Sequence, residues 1–416
     1  MRSSPFWWIF ILFMVLLDLY VFQALKVLTA STGIRTRTII HVVYWVLSVS
    51  AVGTLLLLPY LHFDQASKVI RSTIFALIIG LFFAKLIGAV FFLVDDIRRG
   101  AQWVAFKTFL SGNSAKDGSG GDAIPRSAFL SWMGMIAGGG LYGSLVYGFG
   151  NKYRYDLKKI PLAFSNLPAA FKGLRIVHIS DIHSGSFTDK EAVNRGVQKI
   201  LEQKPDLILF TGDLVNDRAD EMEHYKEVFS QLRAPLGVFS TLGNHDYGDY
   251  ARWESPEAKA ANLERLKNVH AEMGWKLLMD EHHVIEKDGH SLSLLGVQNI
   301  SGRGNFHSYG DLGKAYEGAQ PHPFKILMSH DPSHWDAEVV KSYPDIDLML
   351  SGHTHGMQFG VEIPGWRWSP VQYFYKQWAG LYETGSQKLY VNRGFGFIGY
   401  PGRVGILPEI TLIELI

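Results

Sequence analysis

Five short apolar runs, each handing over Asp, Asn or His at its end, constrain this chain more than any other feature. Leu207-Ile208-Leu209-Phe210 leads through Thr211-Gly212 to Asp213. Leu174–Ser180 runs into Asp181-Ile182-His183, and Gly237–Leu242 into Gly243-Asn244-His245-Asp246. Phe324–Ser329 runs into His330-Asp331, and Ile346–Leu350 into Ser351-Gly352-His353-Thr354-His355. Runs this short and apolar read as buried strands. Open α/β sheets bind their ligands outside the carboxyl ends of such strands. Amphipathic stretches at Lys190–Glu202 and Asp220–Leu232 read as helices between them, and strands dominate from Lys276 onward. Alternation of this kind predicts a layered α/β sandwich rather than a bundle or a barrel.

The donors define the chemistry. Cysteine is absent, so disulfides and thiolate metal sites are excluded. Oxygen and imidazole ligands without sulfur suit Mn, Fe, Mg or Zn. Asp181 and His183 can turn toward one ion, Asp213 has two oxygens with which to bridge a pair, and Asn244 offers a neutral oxygen. His330, His353 and His355 add imidazoles. Seven ligands exceed one tetrahedral site but suit two ions sharing a carboxylate, a geometry that polarises phosphoryl groups and supplies hydroxide at neutral pH. His245 is surplus to the count and is free to face the substrate, donating to a phosphoryl oxygen or leaving group, with Asp246 available to orient it. Taken singly, a strand-end Asp is usually a cap and Asp-x-His arises by chance; the combination is what points to a metal centre. His178, His224, His270, His282, His283, His290, His307, His322 and His334 are read as surface or supporting groups.

The first 150 residues are different in kind. Four runs, near Phe6–Val27, Ile39–Leu61, Val69–Val94 and Ala128–Phe149, each offer the roughly 20 apolar residues that cross a bilayer. The chain therefore divides into a four-span region, 1–150, with a polar linker near 111–125, and a second domain, 151–416. Gly138-Gly139-Gly140, with Gly134 and Gly143, would let another helix approach the fourth span closely. Asp18 and Lys85 fall at similar depth in parallel spans; pairing is the expectation, snorkelling of Lys85 the alternative. Positive charges in the connections are nearly balanced, leaning toward an extracytoplasmic second domain. Arg126 before the fourth span reads either as the remnant of a twin-arginine signal or as an interfacial arginine. A net charge of +1 without a basic run leaves nucleic acid out.

Asp181-x-His183, Gly212-Asp213, Gly243-Asn244-His245-Asp246, His330 and Gly352-His353-x-His355 together resemble the signature of calcineurin-like metallophosphoesterases. The resemblance covers roughly residues 172–416 and implies a four-layered αββα sandwich of two facing sheets. It further implies one metal on Asp181, His183, Asp213 and His355 and a second on Asp213, Asn244, His330 and His353, with His245 as the catalytic histidine. Among the candidate cations Mn is favoured. The tail from Val391-Asn392-Arg393-Gly394 to Glu409 is similar to a membrane-associated bacterial branch that includes exported phosphodiesterases and hydrolases of UDP-diacylglucosamine. The four spans lie outside the resemblance.

The expectation is a hydrolase of a membrane-proximal or lipid-linked phosphoester, anchored in a bacterial inner membrane and acting by metal-bound hydroxide. The alternatives are a sensor or scaffold that binds a phosphorylated ligand without turnover, and, more remotely, a transporter. Arg393 and Arg403 lie in glycine-rich loops; one is expected to hold the substrate phosphate unless both are merely solubilising. Trp366, Trp368, Tyr373, Phe374, Tyr375 and Trp378 form an aromatic segment read as packing on the second sheet, or else as a lip toward lipid.

Overall fold

The computed structural model describes residues 5–58, 60, 68–105, 107–108, 126–304 and 306–416. The expected polar linker near 111–125 lies outside the described residues. The chain forms two compact units, Met1–Tyr147 and Gly148–Ile416.

Four helices make the first unit: α1 (Pro5–Leu28), α2 (Ile34–Leu57), α3 (Lys68–Ala105) and α4 (Ala128–Gly148). All four are long and apolar enough to cross a membrane. At about 1.5 Å per residue α3 is about 57 Å long, well beyond a hydrocarbon core of about 30 Å, and it continues past the expected end at Val94. The extension is charged. Asp95 accepts from the backbone N–H of Ser127 at 2.8 Å, just before α4 begins, and Asp96 pairs with Arg126 at 2.9 Å. Tyr20 donates to the same Asp96 oxygen at 2.7 Å. Arg126 thus has a partner within the bundle, which the export-signal reading did not foresee. Lys85 forms its ion pair with Asp18. Of the glycines in α4, Gly134 and Gly138 meet α3, where a Cβ would press on Phe92, Gly88 and Ala84; Gly139, Gly140 and Gly143 face open space.

The second unit is built on β1 (Asp156–Leu162), β2 (Arg175–Ile179), α5 (Lys190–Leu201), β3 (Leu207–Phe210), α6 (Lys226–Phe229) and β4 (Val238–Ser240). It continues through α7 (Pro256–Glu272), β5 (Lys276–Leu277), β6 (Glu281–Lys287), β7 (His290–Gly296), α8 (Leu312–Tyr316) and β8 (Lys325–Met328). The remainder is α9 (Val340–Ser342), β9 (Leu348–Ser351), β10 (Val361–Ile363), β11 (Trp366–Trp368), β12 (Gly380–Thr384), β13 (Gln387–Val391) and β14 (Glu409–Leu415). The expected helix over Asp220–Leu232 is broken: a helical turn at Ala219–Met222 precedes the single turn of α6.

Two six-stranded sheets run β1-β14-β2-β3-β4-β5 and β12-β13-β9-β8-β7-β6, and β10-β11 is a separate ribbon. β2, β3 and β4 are parallel, as are β7, β8, β9 and β13. Leu207, Leu209 and Phe239 of the first sheet share one core with Leu294, Ile326, Met328, Leu348 and Leu350 of the second. The sheets therefore pack face to face, and strands buried on both faces favour continuous apolar runs, as in β3, in β8 after Lys325 and in β9 up to Ser351. Val193, Val197 and Ile200 of α5 and Leu266 of α7 cover the outer face of the first sheet. Leu312 of α8, Trp335 and Val339 cover that of the second. The four αββα layers result. Their parallel strands point their carboxyl ends at the loops that carry the polar residues.

Candidate metal centre

Three of the five strand-end loops, those after β2, β3 and β9, turn through left-handed backbone. Asp181, His183, Asp213, His353 and His355 all have positive φ, between 48° and 71°, a region side chains other than glycine enter at a cost of about 1–3 kcal/mol. Neighbouring backbone holds them there. The amides of Asp181 and His183 donate to the carbonyls of Gly212 and Asp213 at 2.9 and 3.1 Å. Gly212 (φ 92°) is pressed against Gly243, and a Cβ on Gly352 would overlap Ser180 and Asp181, so both positions require glycine.

The seven expected ligands converge. Asp181, His183 and His355 offer ligand atoms within 4.8 Å of one another, and Asp213, His330 and His353 form a second such group. Asp213 lies between them: its Oδ2 is 3.5 Å from His183 Nε2 and 3.2 Å from His330 Nε2. Asn244 directs Oδ1 at His353 Nδ1 (2.9 Å) and His330 Nε2 (3.1 Å), while its amide donates to the Tyr250 hydroxyl at 2.9 Å. His330 is oriented by donating Nδ1–H to the Thr211 carbonyl at 2.8 Å.

Electrostatics leave the cluster anionic. Burial drives His183 down to about 3 and His353 to about 4, and takes His355 well below the usual imidazole value, so all three are neutral near pH 7. Burial alone would also lower His330, but Asp213 beside it raises it to about 10. Asp181 is pushed up to about 6 by burial; burial acts on Asp213 in the same sense, but the surrounding imidazoles, His330 foremost, together hold it well below the carboxylate range. Two carboxylates thus oppose one imidazolium. His355 Nε2 is buried, 3.3 Å from Asp181 Oδ1, with no hydrogen-bond partner among the described residues. An orphaned imidazole nitrogen in an anionic, oxygen-rich cleft fits divalent cations.

His245 sits beside this cluster, its ring 5.0 Å from that of His183. It is not oriented by Asp246, as the sequence suggested. The His245 ring donates Nδ1–H to the Asn216 carbonyl at 2.7 Å. Asp246 instead accepts from the amides of Asp213, Leu214, Val215 and Gly243 at 2.8–3.2 Å, clamping the β3 loop to the β4 loop. Burial, then the charge of Asp213, raises Asp246 to about 7.

The two arginines also stand otherwise than expected. Arg393 is buried, paired with Glu409 and, at 2.7 Å, with Glu362. Arg403, wholly buried, donates to the carbonyls of His355 (3.2 Å), Arg393 (2.8 Å), Gly394 (3.2 Å) and Gly396, and lies 3.2 Å from His355 Nδ1. Arg403 so committed braces the His355 loop, Arg393 ties β14 to the β10–β11 ribbon, and both guanidiniums spend their hydrogen bonds within the protein.

Tyr375 was overlooked as a supporting group. Its hydroxyl is 2.8 Å from His353 Nε2. Asn216 was overlooked too; its place three residues after Asp213, in the same loop, is the only signal it carries.

Residues 1–151 match the family described as "Probable Calcineurin-like phosphoesterase, transmembrane domain", so the four spans have a match of their own. Residues 174–357 match the family described as calcineurin-like phosphoesterase. The metallophosphoesterase YkuE of Bacillus subtilis is 30% identical over 300 residues, covering 70% of this chain and 98% of that protein. The UDP-2,3-diacylglucosamine pyrophosphatase LpxG of Chlamydia muridarum is 29% identical, over 57% of this chain and 81% of its own. The phosphodiesterase YaeI of Escherichia coli is 29% identical, over 63% and 88% respectively.

Proposed function

The chain belongs to the calcineurin-like phosphoesterases, metal-dependent hydrolases of phosphoesters, and carries a membrane domain; from that premise we propose a dinuclear phosphodiesterase or pyrophosphatase that acts on a membrane-proximal or lipid-linked substrate. One observation carries the dinuclear reading: a single Asp213 oxygen stands 3.5 Å from one donor group and 3.2 Å from the other. Asp181, His183, Asp213 and His355 would hold one cation, and Asp213, Asn244, His330 and His353 the other, with Mn favoured. Such cations, when bound, polarise a phosphoryl oxygen and make water acidic enough to attack it.

The chain's own residues do the rest. Because a carbonyl only accepts, Asn216 keeps the proton of neutral His245 on Nδ1. Nε2 is then the basic atom, and in the imidazolium it donates a proton to the leaving oxygen. Asp246 keeps Asp213 and His245 in register through the clamped amides. In this reading residues 1–150 anchor and 151–416 catalyse, on the extracytoplasmic side of a bacterial inner membrane. A lipid-linked substrate is supported by similarity to LpxG, whose name specifies a diacylglucosamine.

The test is hydrolysis by detergent-purified full-length protein with Mn²⁺, comparing an aryl phosphodiester with the monoester. His245→Gln should lower kcat by about 10²–10⁴-fold, the usual weight of a general acid, with two metals still bound. Loss of metal together with turnover in that variant, or retention of full turnover, refutes the role given to His245.

A further inference from the structure

The β10–β11 ribbon presents its faces the wrong way round for water. Its register pairs Val361 with Trp368, Glu362 with Arg367 and Ile363 with Trp366. Directly paired residues share a face, so Val361, Ile363, Trp366 and Trp368 form one side and Glu362 and Arg367 the other. The charged side is turned into the domain. Glu362 accepts from Arg393 at 2.7 Å and faces Lys158 Nζ at 3.6 Å. The Arg367 guanidinium lies over the rings of Trp378 and Tyr382, at 5.6 and 5.2 Å. The apolar side faces outward, with Val361 41%, Ile363 55% and Trp366 53% exposed. Trp368 Nε1 donates to the Tyr373 hydroxyl at 3.4 Å, and Tyr373 (74% exposed) and Phe374 (56%) extend the patch. An apolar, aromatic surface held in place by a half-buried, paired charged face marks an interaction site.

The fold indicates what covers it. Gly148, the last residue of α4, accepts from the Arg403 amide at 2.9 Å, and Asn151 donates to the Arg403 carbonyl at 3.2 Å. The next residue, Val404, bridges to Phe359 and accepts from the amide of Gly360 at 2.9 Å. Gly360 directly precedes β10. The root of the ribbon is therefore one backbone bridge from Gly148, at which the second unit begins and α4 ends. At its other end the patch meets the metal centre, since Tyr375, which follows Phe374, holds His353.

We propose that the outer face of the β10–β11 ribbon, with Tyr373 and Phe374, inserts into the interfacial layer of the bilayer and sets the metal cleft against lipid headgroups. Trp and Tyr favour this depth, where a ring meets both apolar and polar surroundings. The inference rests on the hydrolase reading only for its consequence: the substrate is a phosphoester carried on a lipid and reaches the cleft from the membrane surface.

The chain has no cysteine, so single labels are clean. Nitroxide at Ile363→Cys, in full-length protein in vesicles of phosphatidylethanolamine and phosphatidylglycerol, should collide more with oxygen than with a water-soluble nickel chelate. At Glu383→Cys, on the exposed end of β12, the preference should reverse. Nickel preference at both positions overturns the proposal, whatever the enzyme does. For the consequence, Ile363→Glu/Trp366→Glu is assayed on two esters with the same leaving group. Turnover of vesicle-borne phosphatidyl p-nitrophenol should fall about tenfold as the patch is expelled from the interface, while soluble bis(p-nitrophenyl) phosphate changes by less than about twofold. An equal fall on both, or none on the lipid ester, overturns the lipid route. If the unaltered protein hydrolyses neither ester, the hydrolase reading fails instead, and the nitroxide result still decides insertion.

Discussion

Both halves of this protein bury charge, and they do so to opposite ends. In the membrane unit Asp18 meets Lys85, and the same Asp18 oxygen accepts from Ser48 at 3.2 Å. Lys85 also donates to Ser48 at 2.7 Å, and Tyr44 donates to the Asp18 carbonyl at 2.7 Å. One anion, one cation and the surrounding donors make a closed set. At the edge of the sheets Asp181 and Asp213 face a single imidazolium, and His355 Nε2 has no hydrogen-bond partner among the described residues. That set is open. A closed cluster fixes helices against each other in a medium without water; an open one carries excess negative charge that only added cations offset. Both sets are largely withdrawn from the surface, and the difference lies in what has been left unpaired.

Removing the shared carboxylate should break the open cluster most severely. Asp213→Asn takes a bridging oxygen from both groups at once. Bound metal, counted by elemental analysis, should fall from two ions toward none. Turnover should drop by more than the ~10–100-fold that follows loss of a residue merely supporting a ligand. Retention of both ions would mean that the two groups do not share Asp213. The closed cluster is tested by unbalancing it. Lys85→Met leaves a carboxylate buried without its partner, a change worth about 3–5 kcal/mol, read as a lowered unfolding midpoint in detergent. Asp18→Asn in the same protein should restore most of that loss. Without that recovery, the pair is not what holds α1 to α3.

A smaller effect sharpens the contrast between holding a ligand and holding a substrate. Arg403 braces the His355 loop through backbone carbonyls, as Ser48 and Tyr44 brace Asp18. Arg403→Lys, with fewer donors and no planar fork, should weaken metal binding by about 10–100-fold and leave KM for the ester unchanged once metal is saturating. A raised KM at unchanged metal affinity would restore the phosphate-gripping role first read from the sequence.

That misreading marks where sequence stops being legible here. Strands, spans and ligands were readable because each is encoded locally: an apolar run, its length, and the residue at its end. Asp18 and Lys85 could be paired because helix rise converts sequence position into depth. The roles of Arg393, Arg403 and Asp246 were not readable, because a long side chain or a carboxylate spends its hydrogen bonds on backbone from distant loops. Glu409, which claims Arg393, lies in β14, a strand inserted between β1 and β2 only in the fold. The β10–β11 ribbon was seen as an aromatic segment, but its register, and so which side faces outward, depends on pairing that composition does not reveal.

The weakest contrast concerns a buried group that is neither paired nor metal-binding. His270 is fully buried against Phe210 and Trp275, and neither ring nitrogen has a hydrogen-bond partner among the described residues. Burial lowers it from 6.5 to about 3, so it is neutral in the folded protein. The unfolded chain binds the proton below about 6.5 and the folded chain does not until about 3, so stability falls as pH drops through that window. The loss is about 1.4 kcal/mol by pH 5.5, one unit below the ordinary histidine value. His270→Phe removes the titrating group while keeping the packing. The difference in unfolding free energy between the two proteins should therefore shift by about that amount between pH 7.5 and 5.5. Parallel profiles would mean that the folded interior accommodates the charged ring, and that burial there is less complete than the core around Phe210 implies.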